Sequence, residues 1–103
     1  MTESLLRPKL AGETATYTFD FTSSLGASET LLTQSVTAAV YSGTDASPSS
    51  IVSGGASAAA GVVSQKLTGG LAGVLYQLLC LVTTSLGQTL ELSAVLAVVP
   101  ALP

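Results

Sequence analysis

The chain contains no histidine and no tryptophan, one cysteine and three basic residues, Arg7, Lys9 and Lys66. Each shortage removes a class of activity. Without histidine there is no Ser/His/Asp or Cys/His nucleophilic arrangement, and a single cysteine cannot supply the nitrogen and sulfur ligands of a zinc site. It also excludes an internal disulfide. Cys80 sits in an apolar stretch with no neighbouring cation to lower its pKa, so it reads as a small buried hydrophobe. Three cations against six acids, a net charge of −3, leave no basic patch to follow a phosphate backbone, so nucleic acid is not an expected partner. No apolar run reaches the roughly 18 residues of a membrane span, because Gln77, Thr83 and Glu91 interrupt the most apolar region. The opening MTESLLRPKL sets Glu3 and Arg7 around two leucines, unlike a secretory signal, and the expectation is folding in a cytoplasm.

Charge of either sign is scarce. Charged residues make up 9% of the chain, against roughly 25% in ordinary soluble domains. The hydrophobic fraction is 48% and the mean hydropathy is +0.63. The surface is therefore left to Ser, Thr, Ala and Gly, which guard a protein poorly against association. This composition points to a component of an assembly.

What the sequence does have is strand patterning. In residues 89–98 Leu90, Leu92, Ala94, Leu96 and Val98 alternate with more polar neighbours, which commits one face of a strand to a core. Before it, a tight turn at 85–87 joins a strand in which Tyr76, Leu78, Cys80 and Val82 form the equivalent row. Gly69, Gly70 and Gly73 stand just ahead of Tyr76. A tyrosine placed there pins the corner of many immunoglobulin-like sandwiches through its phenol oxygen, so these four residues are read as a structural corner.

Earlier in the chain, residues 15–22 (ATYTFDFT) put Tyr17, Phe19 and Phe21 on one face and Thr16, Thr18, Asp20 and Thr22 on the other. Residues 30–42 read as a strand with Leu32, Val36, Ala38 and Val40 inward, Thr37 and Tyr41 outward, and room for a bulge near Thr33 and Gln34. The 43–50 loop, GTDASPSS, has turn chemistry, with Asp45 bonding its own backbone. Short strands are expected at 51–52 and 56–60, around Gly54 and Gly55, and a further one at 61–68 whose inner face is ambiguous. Residues 1–14 form an extended N-terminal arm containing Pro8, and 99–103 a short apolar tail stopped by Pro100 and Pro103. About seven short strands separated by turn clusters, with no helix between them, give an all-β, antiparallel β-sandwich over residues 15–98.

Candidate chemistry is thin. The six acids stand singly and read as solvated surface groups rather than a glycosidase pair, and the glycines fit no dinucleotide or phosphate-loop spacing. No catalytic, cofactor-binding or metal-binding residue is assigned, and the chain is not expected to be an enzyme. The anomaly is the outer face of the last hairpin. If Tyr76, Leu78 and Cys80 point inward, then Leu75, Leu79, Leu81, Val95, Ala97 and Val99 point out. Such an apolar sheet face marks a contact with a partner or a sister subunit. Arg7 and Lys9 in the arm are expected to meet acidic groups on a neighbour.

Three segments, YTFDFTSSLGASETL (17–31), VYSGTDASPSSIVSG (40–54) and VVSQKLTGGLAGVLYQLLCLVTTSLGQTLELSAVLAV (62–98), make the chain resemble small tailed-bacteriophage virion proteins that carry one immunoglobulin-like or fibronectin-type domain. The resemblance implies an immunoglobulin-like sandwich without catalytic residues, made in a bacterial host and incorporated in the virion. It implies partners among the other virion proteins, in the capsid, the portal and neck, or the tail, and copies of itself. The leading expectation is a head decoration or neck and collar subunit. The alternative is a tail- or fibre-associated module that binds a host-surface glycan, for which Tyr41 is the sole outward aromatic. The absence of a cysteine pair and of a core tryptophan separates the chain from antibody-type domains.

Overall fold

A computed structural model describes residues 4–100. Among them eight strands are formed: β1 (Ser4–Leu5), β2 (Lys9–Leu10), β3 (Thr14–Asp20), β4 (Leu31–Ser42), β5 (Val52–Ala59), β6 (Val62–Thr68), β7 (Leu75–Thr84) and β8 (Thr89–Val99), with single 3-10 turns at Thr22–Ser24 and Pro48–Ile51. One sheet has the order β4-β7-β8, with the two-residue strands β1 and β2 both paired to the free edge of β8; the other has the order β3-β6-β5. Pairing is antiparallel except for β1 and β2, which run parallel to β8. The connections from β3 to β4, β4 to β5 and β6 to β7 each cross between sheets, so the fold is all-β in two layers.

Strand alternation decides the core. Tyr17, Phe19, Val63 and Leu67 of the second sheet meet Tyr76, Leu78, Val82, Leu96 and Val98 of the first, all buried. Each such side chain removed from water contributes about 1.5–3 kcal/mol. The 61–68 ambiguity resolves toward Val63, Gln65 and Leu67. The buried Gln65 amide is satisfied by donating to the carbonyls of Ser53 (3.0 Å), Gly54 (3.2 Å) and Lys66 (3.0 Å).

Four elements differ from the sequence expectation. In β4 the bulge falls between Leu31 and Thr33, so Leu31 turns inward and Leu32, expected inside, is 63% exposed. A bulge adds one residue to one strand, and every side chain before it changes face. β5 is one strand rather than two short ones; its register shift between Ser53 and Ser57 absorbs Gly54 and Gly55. Glu29, expected as a solvated acid, is buried. Finally, the described part of the N-terminal arm lies on the chain's own β8, through the β1 and β2 pairings and the Leu6 N–H to Val95 O (2.9 Å) and Ala11 N–H to Val99 O (3.1 Å) bonds.

Candidate partner interface

The three long strands of the first sheet place their odd or even positions in common rows, and the register identifies the outward ones. Across β4, β7 and β8 these rows are Thr33–Thr83–Thr89, Ser35–Leu81–Glu91, Thr37–Leu79–Ser93, Ala39–Gln77–Val95 and Ser42–Leu75–Ala97. Beyond them Val99 pairs with Leu10 of β2. The face therefore brings together five residues picked from the hairpin pattern: Leu75, Leu79, Leu81, Val95 and Val99. Leu79 and Leu81 are 36% and 39% exposed, while Leu75, Val95 and Val99 are half-buried. Tyr41 in the second bulge of β4 and Leu10 extend the apolar surface, both largely exposed. Leu10 was not legible as a member, because its place depends on pairing with a strand about ninety residues away.

Arg7 and Lys9 do not join this face. Lys9 faces inward at register with Val98, is fully buried, and its ammonium donates to the carbonyls of Gly69 (2.7 Å) and Leu10 (2.9 Å). Burial holds its pKa below the usual lysine value, against a smaller upward pull from Glu13. The Arg7 guanidinium lies 4.8 Å from the Tyr17 ring centroid and 3.7 Å from a Glu13 carboxylate oxygen. Lys9 is thus engaged inside the chain, which corrects the expectation that it reaches for acids on a neighbour, whereas the Arg7 side chain is 57% exposed. The contacts of Lys9 with Gly69 and of Arg7 with Tyr17 fasten the N-terminal segment to the sandwich.

Behind the face stands the glycine corner. The Tyr76 phenol, fully buried, accepts the Leu71 N–H (2.9 Å) and donates to Asp45 Oδ2 (2.6 Å). Asp45 Oδ1 accepts the Ser47 N–H (2.9 Å), so the aspartate closes its own turn as expected and also joins the 43–47 loop to the corner. Burial, then the Asp45 bond, pushes the Tyr76 pKa up; the Tyr76 bond, then the Ser47 N–H, holds Asp45 below the ordinary carboxylate range. Gly70 has φ +95°, and a Cβ there would lie 3.0 Å from Val98 Cγ2, so only glycine brings the loop this close. Gly73 donates its N–H to Val98 O (2.9 Å) and Gly69 supplies the acceptor for Lys9.

A second polar anchor escaped sequence reasoning. Glu29 accepts the Gly26 N–H (2.9 Å) and the Thr84 hydroxyl, and these bonds, the Gly26 one first, hold its pKa below the usual glutamate value. Its partner Thr84 is 55 residues away, a separation that no local pattern reports. Among the described residues no group of three or more His, Cys, Asp or Glu side chains could hold a metal ion, and no helix is long and apolar enough to cross a membrane. The arrangement offers a contact surface backed by a rigid corner.

Comparison with known proteins gives one finding. A family model described as "Podophage GP4 fiber-tail adaptor protein gp77" matches residues 9–97. No curated protein and no solved structure matches the chain.

Proposed function

Because the chain belongs to the podophage fiber-tail adaptor gp77 family, and so is a structural, non-enzymatic component of the phage tail, we propose that it works as a passive connector between tail and fibre. The family favours the tail-and-fibre alternative over the head-decoration or collar place expected from the sequence. It speaks of an adaptor rather than of glycan binding. The partners are other virion proteins; contact with further copies of the chain is part of the proposal.

The observation that carries the reading is the outer face of β7 and β8. Leu75, Leu79, Leu81, Val95 and Val99 form an apolar strip on a sheet whose other side is already packed. Burying it stabilises a complex at about 25 cal/mol per Å² before the costs of association are deducted. The second part of the proposal is topological. The sheet orders β3-β6-β5 and β4-β7-β8 correspond to strands B-E-D and C-F-G of an immunoglobulin-like sandwich. The Tyr76 corner at the start of the penultimate strand agrees with that assignment. On this reading residues 15–98 are the immunoglobulin-like unit, while Val99 closes β8 and residues 101–103 lie outside the described residues.

The test is incorporation. Leu79→Asp and Leu81→Asp replace partly exposed side chains and are expected to leave the melting temperature of the purified protein within a few degrees. Particles assembled with either variant should lack the adaptor or the fibres. Complete particles carrying both folded variants would remove this face from the interface.

A further inference from the structure

Of the sheet edges formed by the described residues, those at β8, β3 and β5 are covered, flanked or interrupted by the chain itself. β1 and β2 pair with the edge of β8. The segment between them touches β3, where the Arg7 carbonyl accepts the Tyr17 hydroxyl (3.2 Å) and the Arg7 guanidinium lies over the Tyr17 ring. β5 leaves its ladder with β6 between Ser53 and Ser57, which breaks that edge. β4 is different. It is 12 residues long, carries no charge and no proline, and pairs on one side only. An open edge of that length is a template for another strand, which proteins normally blunt.

Hydrogen-bond alternation says what this edge offers. In the β7–β8 ladder the bonded residues of β7 are the even ones, as the Thr84 N–H to Gln88 O (2.9 Å) and Val98 N–H to Val74 O (3.1 Å) bonds at its two ends show. The odd ones therefore bond β4, at the pairs Thr33↔Thr83, Ser35↔Leu81, Thr37↔Leu79 and Ala39↔Gln77. This turns the N–H and C=O groups of Gln34, Val36, Ala38 and Val40 away from β7, and among the described residues no strand pairs with them. A row of donors and acceptors repeating about every 6.8 Å is complementary to another extended backbone. The bulges bracket the row rather than cut it, since residues 33–40 keep an unbroken register with β7. The bulge residues Leu32 and Tyr41, 63% and 54% exposed, stand at its two ends and lie outside the core. Between them the outward side chains Thr33, Ser35, Thr37 and Ala39 are short and exposed, so a strand laid alongside meets no bulk and adds one row to the face that carries Leu79 and Leu81.

We propose that the β4 edge takes up an extended, proline-free segment of another virion protein as a further strand of the first sheet, bonded to Gln34, Val36, Ala38 and Val40. Main-chain bonds set the register of the partner, and its outward side chains continue the outer face. A second copy of the chain is a poorer occupant. Gln34 Nε2 donates to Ala56 O (3.2 Å), so the irregular β5 edge lies on the same side of the molecule as β4. Two copies joined through β4 must also fit these irregular edges to each other, whereas a single strand pairs with β4 alone. The proposal rests on the adaptor reading, which supplies other virion proteins as partners.

The experiment is amide hydrogen exchange, read residue by residue, on the purified full chain and on assembled particles from which the chain is recovered after quenching. In the purified chain the amides of Ser35, Thr37 and Ala39 are expected to be protected by β7, and those of Val36, Ala38 and Val40 to exchange faster. In particles the second set should slow by about tenfold or more. Equal exchange of the two sets in the purified chain, or unchanged exchange of the second set in particles, overturns the proposal. Ala38→Pro removes one edge N–H and none that bonds β7. Folded by thermal melting, it should lower the adaptor or the fibre in particles by about tenfold, the effect of roughly 1.4 kcal/mol, and normal particles from it overturn the proposal. If it does not fold, the exchange comparison on the unaltered chain decides. A photo-crosslinker at Thr37 identifies the occupant: links to a different virion protein agree with the proposal, and links to another copy overturn it. Fibre loss from Leu79→Asp or Leu81→Asp with β4 exchange unchanged in particles sinks this inference and leaves the adaptor reading standing, whereas particles that keep their fibres without the chain sink the adaptor reading itself.

Discussion

Replacing Tyr76 by Phe isolates one oxygen atom. The ring stays in the core, where it is fully buried, and the change removes the acceptor of the Leu71 N–H and the donor to Asp45. A neutral hydrogen bond contributes about 0.5–1.5 kcal/mol and one to a charged group more, while a buried donor left unsatisfied costs about 1–3 kcal/mol. Asp45 is only half-buried and can recover water, so the loss falls chiefly on Leu71 and the corner. A cost of about 2 kcal/mol follows. For a domain of this size that lowers the melting temperature by roughly 10 °C. The assay is thermal or urea unfolding at pH 7 of wild type, Tyr76→Phe, Asp45→Asn and the double variant. Because the two groups share one bond, the double variant should lose less than the two single changes added together. The pH dependence has two signs. Asp45, held low, stabilises the fold above the ordinary aspartate pKa and stops doing so as pH falls through its lowered value. Tyr76, held high, stabilises it below about 10 and stops as pH rises through its raised value. A fall of less than about 2 °C in Tyr76→Phe, or strict additivity, would refute the view that this phenol joins two loops.

Three further outcomes follow from buried or strained positions. Gly70→Ala forces an L side chain to φ +95° and a Cβ to 3.0 Å from Val98, and should cost about 1–3 kcal/mol by urea unfolding, whereas Gly12→Ala, with no atom within 4 Å and no left-handed φ, should cost under about 1 kcal/mol. Glu29, whose pKa is lowered by Gly26 and Thr84, stabilises the fold above the ordinary glutamate value and loses that effect as pH falls through its lowered one. The melting temperature should therefore decline less steeply below about pH 4.5 in Glu29→Gln than in wild type. The Cys80 thiol, pushed up to about 11 by burial, should resist thiol reagents at pH 8 in the native protein and react at once in denaturant.

The parts of the fold that sequence reasoning reached are those governed by period two. The rows through Tyr17 and Phe19, through Tyr76 to Val82 and through Leu90 to Val98 each needed only local alternation, and each lies where the pattern puts it. The five outer aliphatic positions followed from the same arithmetic, as the complement of the inner rows. What failed was whatever depends on partners distant in the chain. A one-residue bulge exchanged Leu31 and Leu32, and its position is set by the β7 register rather than by β4 itself. Lys9 read as an exposed cation because its Gly69 carbonyl partner, 60 residues along, becomes available only when the 69–74 corner closes on β2. Glu29 was hidden for the same reason. Even the Gly54–Gly55 pair, taken as a break between strands, is a register shift whose meaning depends on β6.

The mixed character of the outer face also has a physical logic. Leu81 lies between Ser35 and Glu91, and Leu79 between Thr37 and Ser93, so no leucine has another leucine directly beside it on the neighbouring strand. Each is separated by groups that keep some water on the surface before assembly, which matters in a chain with so few charges to hold it in solution. On contact, the short hydroxyl side chains desolvate at small entropic cost, since they have few rotamers to lose, while the leucines supply the favourable burial. A continuous leucine surface would bind more tightly and would also associate before its proper partner arrived. Replacing Ser93 and Thr37 with Leu tests that trade directly. The expected result is a protein that melts no lower than wild type yet forms concentration-dependent oligomers in sedimentation analysis. A variant that stays monomeric throughout would mean that the hydroxyl residues between the leucines do not restrain premature association.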